Sequence, residues 1–289
     1  QKVCCACVIM EKLKKRILQD RVFTILIIVF AFTACLPLLG ILAFIVKNGI
    51  TVINFEFFFH LPKPVGEHGG GISNAIVGTF IVVMIAFIIA SPVSLLMGIY
   101  LSENRKSLFS EILRVCIDVL ASIPSIVIGI IAYLWIVKPM KSFSALSGGI
   151  ALAIIMLPVV VKSTEETLNM IQSTLREASF ALGVPYFRTI LKVIVPAGLS
   201  GIITGILIAL ARIAGETAPL LFTAFGNPFM NFNITKPVNT LPLLVFNYST
   251  SPYQQWHTIA WGAALVLLII VFTFNILARI ISKKWKTNF

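Results

Sequence analysis

What limits this chain most is a series of apolar blocks, each about as long as a helix must be to cross the hydrocarbon of a bilayer. Six can be delimited, over residues 22–46, 72–101, 112–137, 148–161, 193–224 and 257–281. The fourth is short and is expected to begin within the preceding loop. A soluble fold cannot absorb this pattern. Of the residues, 58% are hydrophobic and 12% charged, whereas soluble domains sit near half apolar and about a quarter charged. The 23 basic and 11 acidic side chains are too few to clothe a water-soluble surface. The reading is an all-α polytopic membrane protein with six transmembrane helices. A water-soluble enzyme, a coiled coil and a disordered interaction chain are excluded together.

The net charge of +12 does not point to nucleic acid. A nucleic-acid reader carries a basic face with interleaved aromatics, but here the cations lie between the apolar blocks. Lys2, Lys12, Lys14, Lys15, Arg16 and Arg21 precede the first block. Arg105, Lys106 and Arg114 follow the second, and Lys162, Arg176, Arg188 and Lys192 follow the fourth. Arg279, Lys283, Lys284 and Lys286 close the chain. The opposite side holds only Lys47, Lys63, Lys138, Lys141 and Lys236. Basic residues concentrate on the cytoplasmic side of a membrane, so both termini are expected in the cytoplasm.

The chain opens with Gln1, and Met10 precedes the basic stretch Glu11 to Arg16. Residues 1–9 are therefore expected to lie outside the native reading frame or to be poorly ordered. No small-residue cleavage site follows the first block, so that block reads as a retained helix. The five cysteines do not form a disulfide framework. Cys35 and Cys116, inside apolar blocks, read as small core residues. Cys4, Cys5 and Cys7 cluster without a nearby His or acidic partner.

The segment from Lys162 to Lys192 carries the clearest non-membrane signal. Ser163 with Glu166 three residues later reads as a capping box that starts a helix. Leu168, Ile171, Leu175, Ala178 and Leu182 then recur at helical spacing. Gly183 and Pro185 supply the stop, giving a protruding helix of about 18 residues. An interfacial helix on lipid would show a basic polar face. This one shows Glu165, Glu166 and Glu177 against Arg176, a pattern better suited to docking on a protein, though both readings stand on these residues alone.

Within it, Glu177-Ala178-Ser179, three residues, Gly183, nine residues and then Val193-Ile194-Val195-Pro196 resemble the EAA loop of ABC importer permeases. Ser179 replaces the second Ala of that pattern, and Val193 and Val195 replace Ile and Leu. The resemblance implies that Glu177, Ala178, Ser179, Gly183 and Pro196 belong to a loop seated in a cleft of an ATPase subunit. This chain has no G-x-x-x-x-G-K-[ST] phosphate loop. ATP with Mg²⁺ would therefore be bound by a partner, leaving this chain a transport subunit and not an enzyme.

The fifth block contains Arg212-Ile213-Ala214-Gly215-Glu216-Thr217-Ala218-Pro219. Each ionisable group costs roughly 2.5–3.5 kcal/mol to insert and usually faces an interior or a water path. Arg212 and Glu216 are spaced to pair with each other. Either the pair is a structural ion pair, or Arg212 lines an anion path while Glu216 tunes its field. Pro219 should kink or end the helix. In the third block, Ser122, Pro124 and Ser125 interrupt the apolar run. They mark either a simple proline kink or a broken helix that turns N–H groups toward an anion. Lys162 reads either as a boundary residue reaching for the headgroups or as a pathway cation.

The span from Arg212 to Ala224 resembles that of the PstA family, the A-type permeases of phosphate ABC importers. So do Ala121 to Val127, Pro92 to Leu101, Asn239-Thr240-Leu241-Pro242 and Phe246-Asn247-Tyr248. The resemblance implies a type I ABC importer permease (MetI-like) fold; Arg212, Glu216, Ser122 and Ser125 remain the candidate anion-pathway or gate residues on the reading of the residues above. It further implies a C-type permease partner, an ATPase dimer, an extracytoplasmic phosphate-binding protein and a bacterial or archaeal plasma (inner) membrane.

The expected organisation is a cytoplasmic tail (1–21), a first helix (22–46) and an external loop (47–71). A permease core (72–282) follows, with its coupling loop at 163–196, and then a tail (283–289). The long loop 225–256 has no acid and is rich in Asn, Pro and aromatics, so it is expected to fold onto the membrane surface. His60, His68 and His257 lack ligand spacing, and no Ser/His/Asp, Cys/His or paired-carboxylate constellation is present. Two sequons, at Asn233 and Asn247, match by pattern only. The alternatives are a C-type phosphate or other oxyanion permease and, from another class, an ion-gradient-driven carrier or channel.

Overall fold

The computed structural model describes residues 2–64, 67 and 69–284; His68 and Lys286, and the side chains of Cys4, Cys5 and Cys7, lie outside what is described. The chain divides into two units between Asn48 and Gly49.

The first unit is essentially one helix, α1 (Lys2–Gly49). It runs unbroken through residues 2–9, which the sequence reading set aside. Its apolar part, Gln19–Gly49, holds an 18-residue stretch with a mean hydropathy of 2.8 in which no residue is buried. Phe23, Phe30 and Phe32 are all well exposed. Cys35 is exposed as well, contrary to the expectation of a core residue. The reason is general to membrane proteins, since a surface solvated by hydrocarbon is as apolar as a core.

The second unit runs in chain order as α2 (Phe55–Phe59), α3 (Ser73–Glu103), α4 (Leu108–Ser122) and α5 (Ser125–Ala132). A π turn, Tyr133–Val137, leads to α6 (Lys138–Met140), then α7 (Ala145–Asn169), α8 (Ser173–Ala181) and α9 (Tyr186–Thr189). A second π turn, Ile190–Ile194, precedes α10 (Val195–Ala197), α11 (Leu199–Ala214), α12 (Ala218–Thr223), α13 (Leu241–Ser249) and α14 (Gln254–Lys284). Among the described residues the single β feature is an isolated bridge between Phe225 and Val238. Among the described residues four helices, α1, α3, α7 and α14, are long and apolar enough to span a bilayer alone. Two bent pairs bring the number to six.

The core is built on α3 against α7. Ala86, Ala90, Ser94 and Gly98 recur every four residues on one buried face of α3, which lets the two backbones approach closely. At Gly98 a Cβ would come within 2.6 Å of Thr164 Cβ. Val82, Leu152, Met156 and Ile213 fill the space around this crossing. α7 is the most buried span, at 67%. It is a full 25-residue helix rather than the short fourth block that was expected.

The same crossing corrects the start of the protruding helix. Ser163 and Glu166 do not cap anything, because α7 continues through them to Asn169. Ser163 and Thr167 lie on the α7 face that meets Gly205 and Gly201 of α11, where a glycine Cβ would collide with them. The burial of Thr164 and Leu168 extends the helix beyond the point where a local motif would begin one. The chain turns only at Met170 to Gln172. The next helix, α8, is nine residues long instead of about 18.

The third block is likewise not one straight span. At Ile123 and Pro124 the backbone becomes extended, and α4 meets the following helix at 99°. Proline disfavours helical geometry in the residue before it. α4 itself is two-faced. Ser110 and Ile117 are buried, while Leu108, Val115 and Val119 are exposed, as is Cys116, a second correction to the core reading. The fifth block bends by 65° at Gly198 and breaks again after Ala214.

The loop before α14 packs into the body of the unit through α13. Leu241, Leu243 and Leu244 of α13 are completely buried, and Leu241 and Leu244 join Phe57, Ile72 and Ile259 in a second core. Asn74 donates to the carbonyls of Asn227 and Pro228 at 2.8 and 3.0 Å, fastening the loop to the start of α3.

Candidate functional site

Two regions bring the sequence-selected residues together. The first is the protrusion formed by α8 and α9. Glu177 and Ala178 are exposed on α8, whereas Ser179 faces inward and its hydroxyl meets that of Thr189 at 2.9 Å. The small residue at 179 thus serves to pin α8 on α9. Gly183 takes φ +73, the left-handed geometry that closes a helix. The Val184 N–H then bonds back to Ser179 O at 3.2 Å. Pro196 is exposed in α10, at the far end of the loop.

The turn leaves a set of large apolar side chains in the open. Leu182 is 84% exposed and Phe187 71% exposed, while Met170, before the start of α8, is 84% exposed. Phe180 and Tyr186 stack at 6.2 Å beside them. Underneath, Arg176 of α8 pairs with Glu103, the last residue of α3, at 2.8 Å. Tyr186 donates to the other oxygen of Glu103 at 3.0 Å. The sequence reading missed Glu103. Its partners are remote along the chain, Tyr186 by 83 residues, and the only available signal was a carboxylate at a helix C-terminus, where the helix dipole disfavours it.

The second region lies at the two helix breaks. α11 ends at Ala214, with Gly215 as its C-cap. Arg212 therefore sits in the last turn of α11 and Glu216 just beyond it. Their closest approach is 3.8 Å, Nε to Oε1, with the Arg212 side chain 55% exposed and Glu216 18% exposed. α12, after this break, packs on α5, after the other. Ser122 turns its hydroxyl back onto Val119 O at 2.7 Å. Among the described residues no hydrogen bond links Ser122 or Ser125 to Arg212 or Glu216. The two breaks are thus neighbours through α5 and α12, while their polar side chains stay apart.

Lys162 pairs with Asp118 of α4 at 2.5 Å, both about half exposed. One helical turn away, Arg114 donates to Glu165 at 2.8 Å and to the carbonyls of Arg105 and Leu101, at 3.1 Å each. The acids assigned to one helix in the sequence reading therefore serve two purposes. Glu165 fastens α7 to α4, and Glu177 alone faces outward on α8. His257 is engaged by the Ser251 carbonyl at 2.6 Å. No group of three or more potential metal ligands occurs among the described residues.

The family model for the binding-protein-dependent transport system inner membrane component matches residues 90–287. The phosphate transport system permease protein PstA of Yersinia pestis is 42% identical over 86% of this chain and 85% of its own length. That of Pasteurella multocida is 38% identical over 92% of this chain and 95% of its own. The chain belongs to the PstA family of transport permeases. A chain of a bacterial alginate ABC transporter, solved in complex with an alginate pentasaccharide-bound periplasmic protein, shares the fold. Its TM-score is 0.65 at 15% identity, covering 93% of this chain and 98% of that one.

As a PstA-family permease the chain is a multi-pass inner-membrane protein and a transport subunit of an ABC system. The matched region begins within α3 and leaves α1 outside it, in line with the division of the chain at Gly49.

Proposed function

We propose that this chain forms half of the translocation path of an ATP-driven inorganic phosphate importer, working by alternating access beside a homologous C-type permease. An extracytoplasmic phosphate-binding protein delivers the anion, and both termini lie in the cytoplasm. ATP with Mg²⁺ is bound and hydrolysed by a separate ATPase dimer, which grips α8 and the turn at Gly183.

The observation that carries this reading is the open apolar surface around the turn at Gly183, where Leu182 is 84% and Phe187 71% exposed. Large apolar side chains left exposed beside one another mark a surface that another protein or a membrane covers, and the acidic Glu177 on the same short helix favours a protein. Within the membrane, Arg212 fits an anion path. Its side chain is more than half exposed, and such a charge is tolerated only beside water or another subunit. At 3.8 Å, Glu216 neutralises it only loosely, leaving donors free for a phosphate oxygen.

The test is phosphate uptake into vesicles carrying the whole complex, with retention of the ATPase subunit measured in the same samples. Arg212→Gln should abolish uptake with the complex intact, and Glu177→Lys should release the ATPase subunit. Uptake that survives inactivation of the ATPase would sink the proposal in favour of a gradient-driven carrier. Normal uptake in both variants would reduce Arg212 and α8 to structural roles.

A further inference from the structure

We infer that Glu103 is the strut that transmits movement of the coupling helix α8 to the transmembrane helix α3. The inference rests on the reading of α8 as the ATPase-docking element and adds a positioning residue that lies outside the 177–196 loop.

The geometry is a two-pronged carboxylate. One oxygen of Glu103 faces Arg176 of α8 at 2.8 Å, and the other accepts from the Tyr186 hydroxyl at the start of α9 at 3.0 Å. The Arg176 contact is a close ion pair rather than a well-aligned hydrogen bond, since no N–H of the guanidinium points along it. α8 and α9 are themselves tied by Ser179 and Thr189, so Glu103 grips the coupling unit at two points. Among the described residues it is the only residue of α3 that hydrogen-bonds or ion-pairs with α8 or α9.

Three physical facts make this contact a transmitter rather than an ornament. First, the carboxylate is only 7% exposed, and a buried charge that loses its partner is strongly penalised. The contact therefore resists being pulled apart. Second, Glu103 closes α3, where the negative end of the helix dipole opposes a carboxylate; helix stability alone would favour Lys or Arg there. Third, the remaining links between α8 and the membrane body are apolar, with Leu175 and Ile171 beside Leu168 and Ile194. Apolar burial has no preferred direction, so such a patch can slide, whereas an ion pair fixes register. From Glu103 the path runs straight into α3, which is packed along its length on α7.

The test uses the complete complex in proteoliposomes, with inorganic phosphate as cargo and phosphate moved per ATP hydrolysed as the readout. Glu103→Gln keeps an acceptor for Tyr186 but removes the charge facing Arg176. The expected result is an assembled complex that still hydrolyses ATP but moves about tenfold less phosphate per ATP, a mid-range coupling for a paired residue. Exchanging the charges, Glu103→Arg with Arg176→Glu, should restore most of that ratio. An unchanged ratio in Glu103→Gln overturns the inference, as does an exchange variant that assembles but stays uncoupled. Loss of the ATPase subunit from Glu103→Gln also overturns it, making Glu103 an assembly residue. Leu182→Asp, run in parallel, tests the underlying reading by itself. If it retains the ATPase subunit, α8 is not the docking element, whatever Glu103 does.

Discussion

Gly129 of α5 lies so close to Pro219 of α12 that a Cβ built on it would stand 2.6 Å from the Pro219 Cα. The obstacle is backbone in a short helix, not the flexible end of a side chain, so it cannot move aside cheaply. This contact makes the break after Pro124 and the break after Ala214 neighbours. In Gly129→Ala the overpacking should cost about 1–3 kcal/mol, against a helix-propensity gain of up to about 1 kcal/mol. The midpoint of thermal unfolding in detergent should fall. Gly40→Ala in α1 is the control, because a Cβ there meets nothing within 4 Å. A midpoint for Gly129→Ala at or above that of Gly40→Ala would refute the close packing.

The charged residues between α4 and α7 look alike in sequence but should differ in weight. Arg114 makes three hydrogen bonds, to Glu165, Arg105 O and Leu101 O, and so anchors α4 to both α7 and the end of α3. Arg114→Ala should cost about 1.5–3 kcal/mol, the range for hydrogen bonds to charged groups. The Lys162–Asp118 pair is shorter, but its side chains are 46% and 60% exposed. Lys162→Ala should therefore stay within about 1 kcal/mol. Denaturant titration of the two variants decides between them, and equal losses would mean that exposure does not rank these pairs.

How far the chain could be read in advance depended on what each feature answers to. The spans were legible because hydrocarbon selects on composition alone, and the end of α8 because Gly183 and Pro185 stop a helix. The break at Pro124 was legible from covalent geometry, whereas Pro219 did not end its helix as expected: α11 stops earlier, at Ala214, and Pro219 sits in the first turn of α12, where a proline is tolerated. Ser163 misled because its local pattern competes with a long-range one: Gly201 and Gly205 of α11 draw α7 onward past the motif. Cys35 and Cys116 misled because an apolar residue in a membrane protein is equally at home inside and outside. Glu103 and Arg176 were visible only as separate charges, since nothing local records that α3 ends beneath α8.

The start of α13 depends on one hydroxyl. Thr79, 6% exposed on α3, accepts from the Leu241 N–H at 2.8 Å while donating to Ala75 O at 2.7 Å. The first N–H groups of any helix lack partners within it, and Thr240 offers no side-chain cap here. Thr79→Val preserves shape but strands that buried N–H, at a cost of about 1–3 kcal/mol. Thr79→Ser should be close to neutral. Hydrogen exchange at the Leu241 amide is the direct readout: it should accelerate in the Val variant alone, and equal protection in both would show that the hydroxyl is not the partner that matters.

Gly183 separates conformation from space. Its φ is +73, yet a Cβ there would meet nothing within 4 Å, so any penalty for substitution must come from the backbone. A left-handed conformation costs an ordinary L-residue roughly 1–2 kcal/mol, while Asn tolerates it better than other non-glycine residues. If the turn presents Leu182 and Glu177 to the ATPase subunit, retention of that subunit should fall in the order Gly, Asn, Ala, Val. The Val variant should lose about tenfold in affinity, the equivalent of about 1.4 kcal/mol. A steric account predicts no ordering, since the space is open. Retention of the Val variant at the level of Asn would therefore show that the docking surface does not depend on the closed turn.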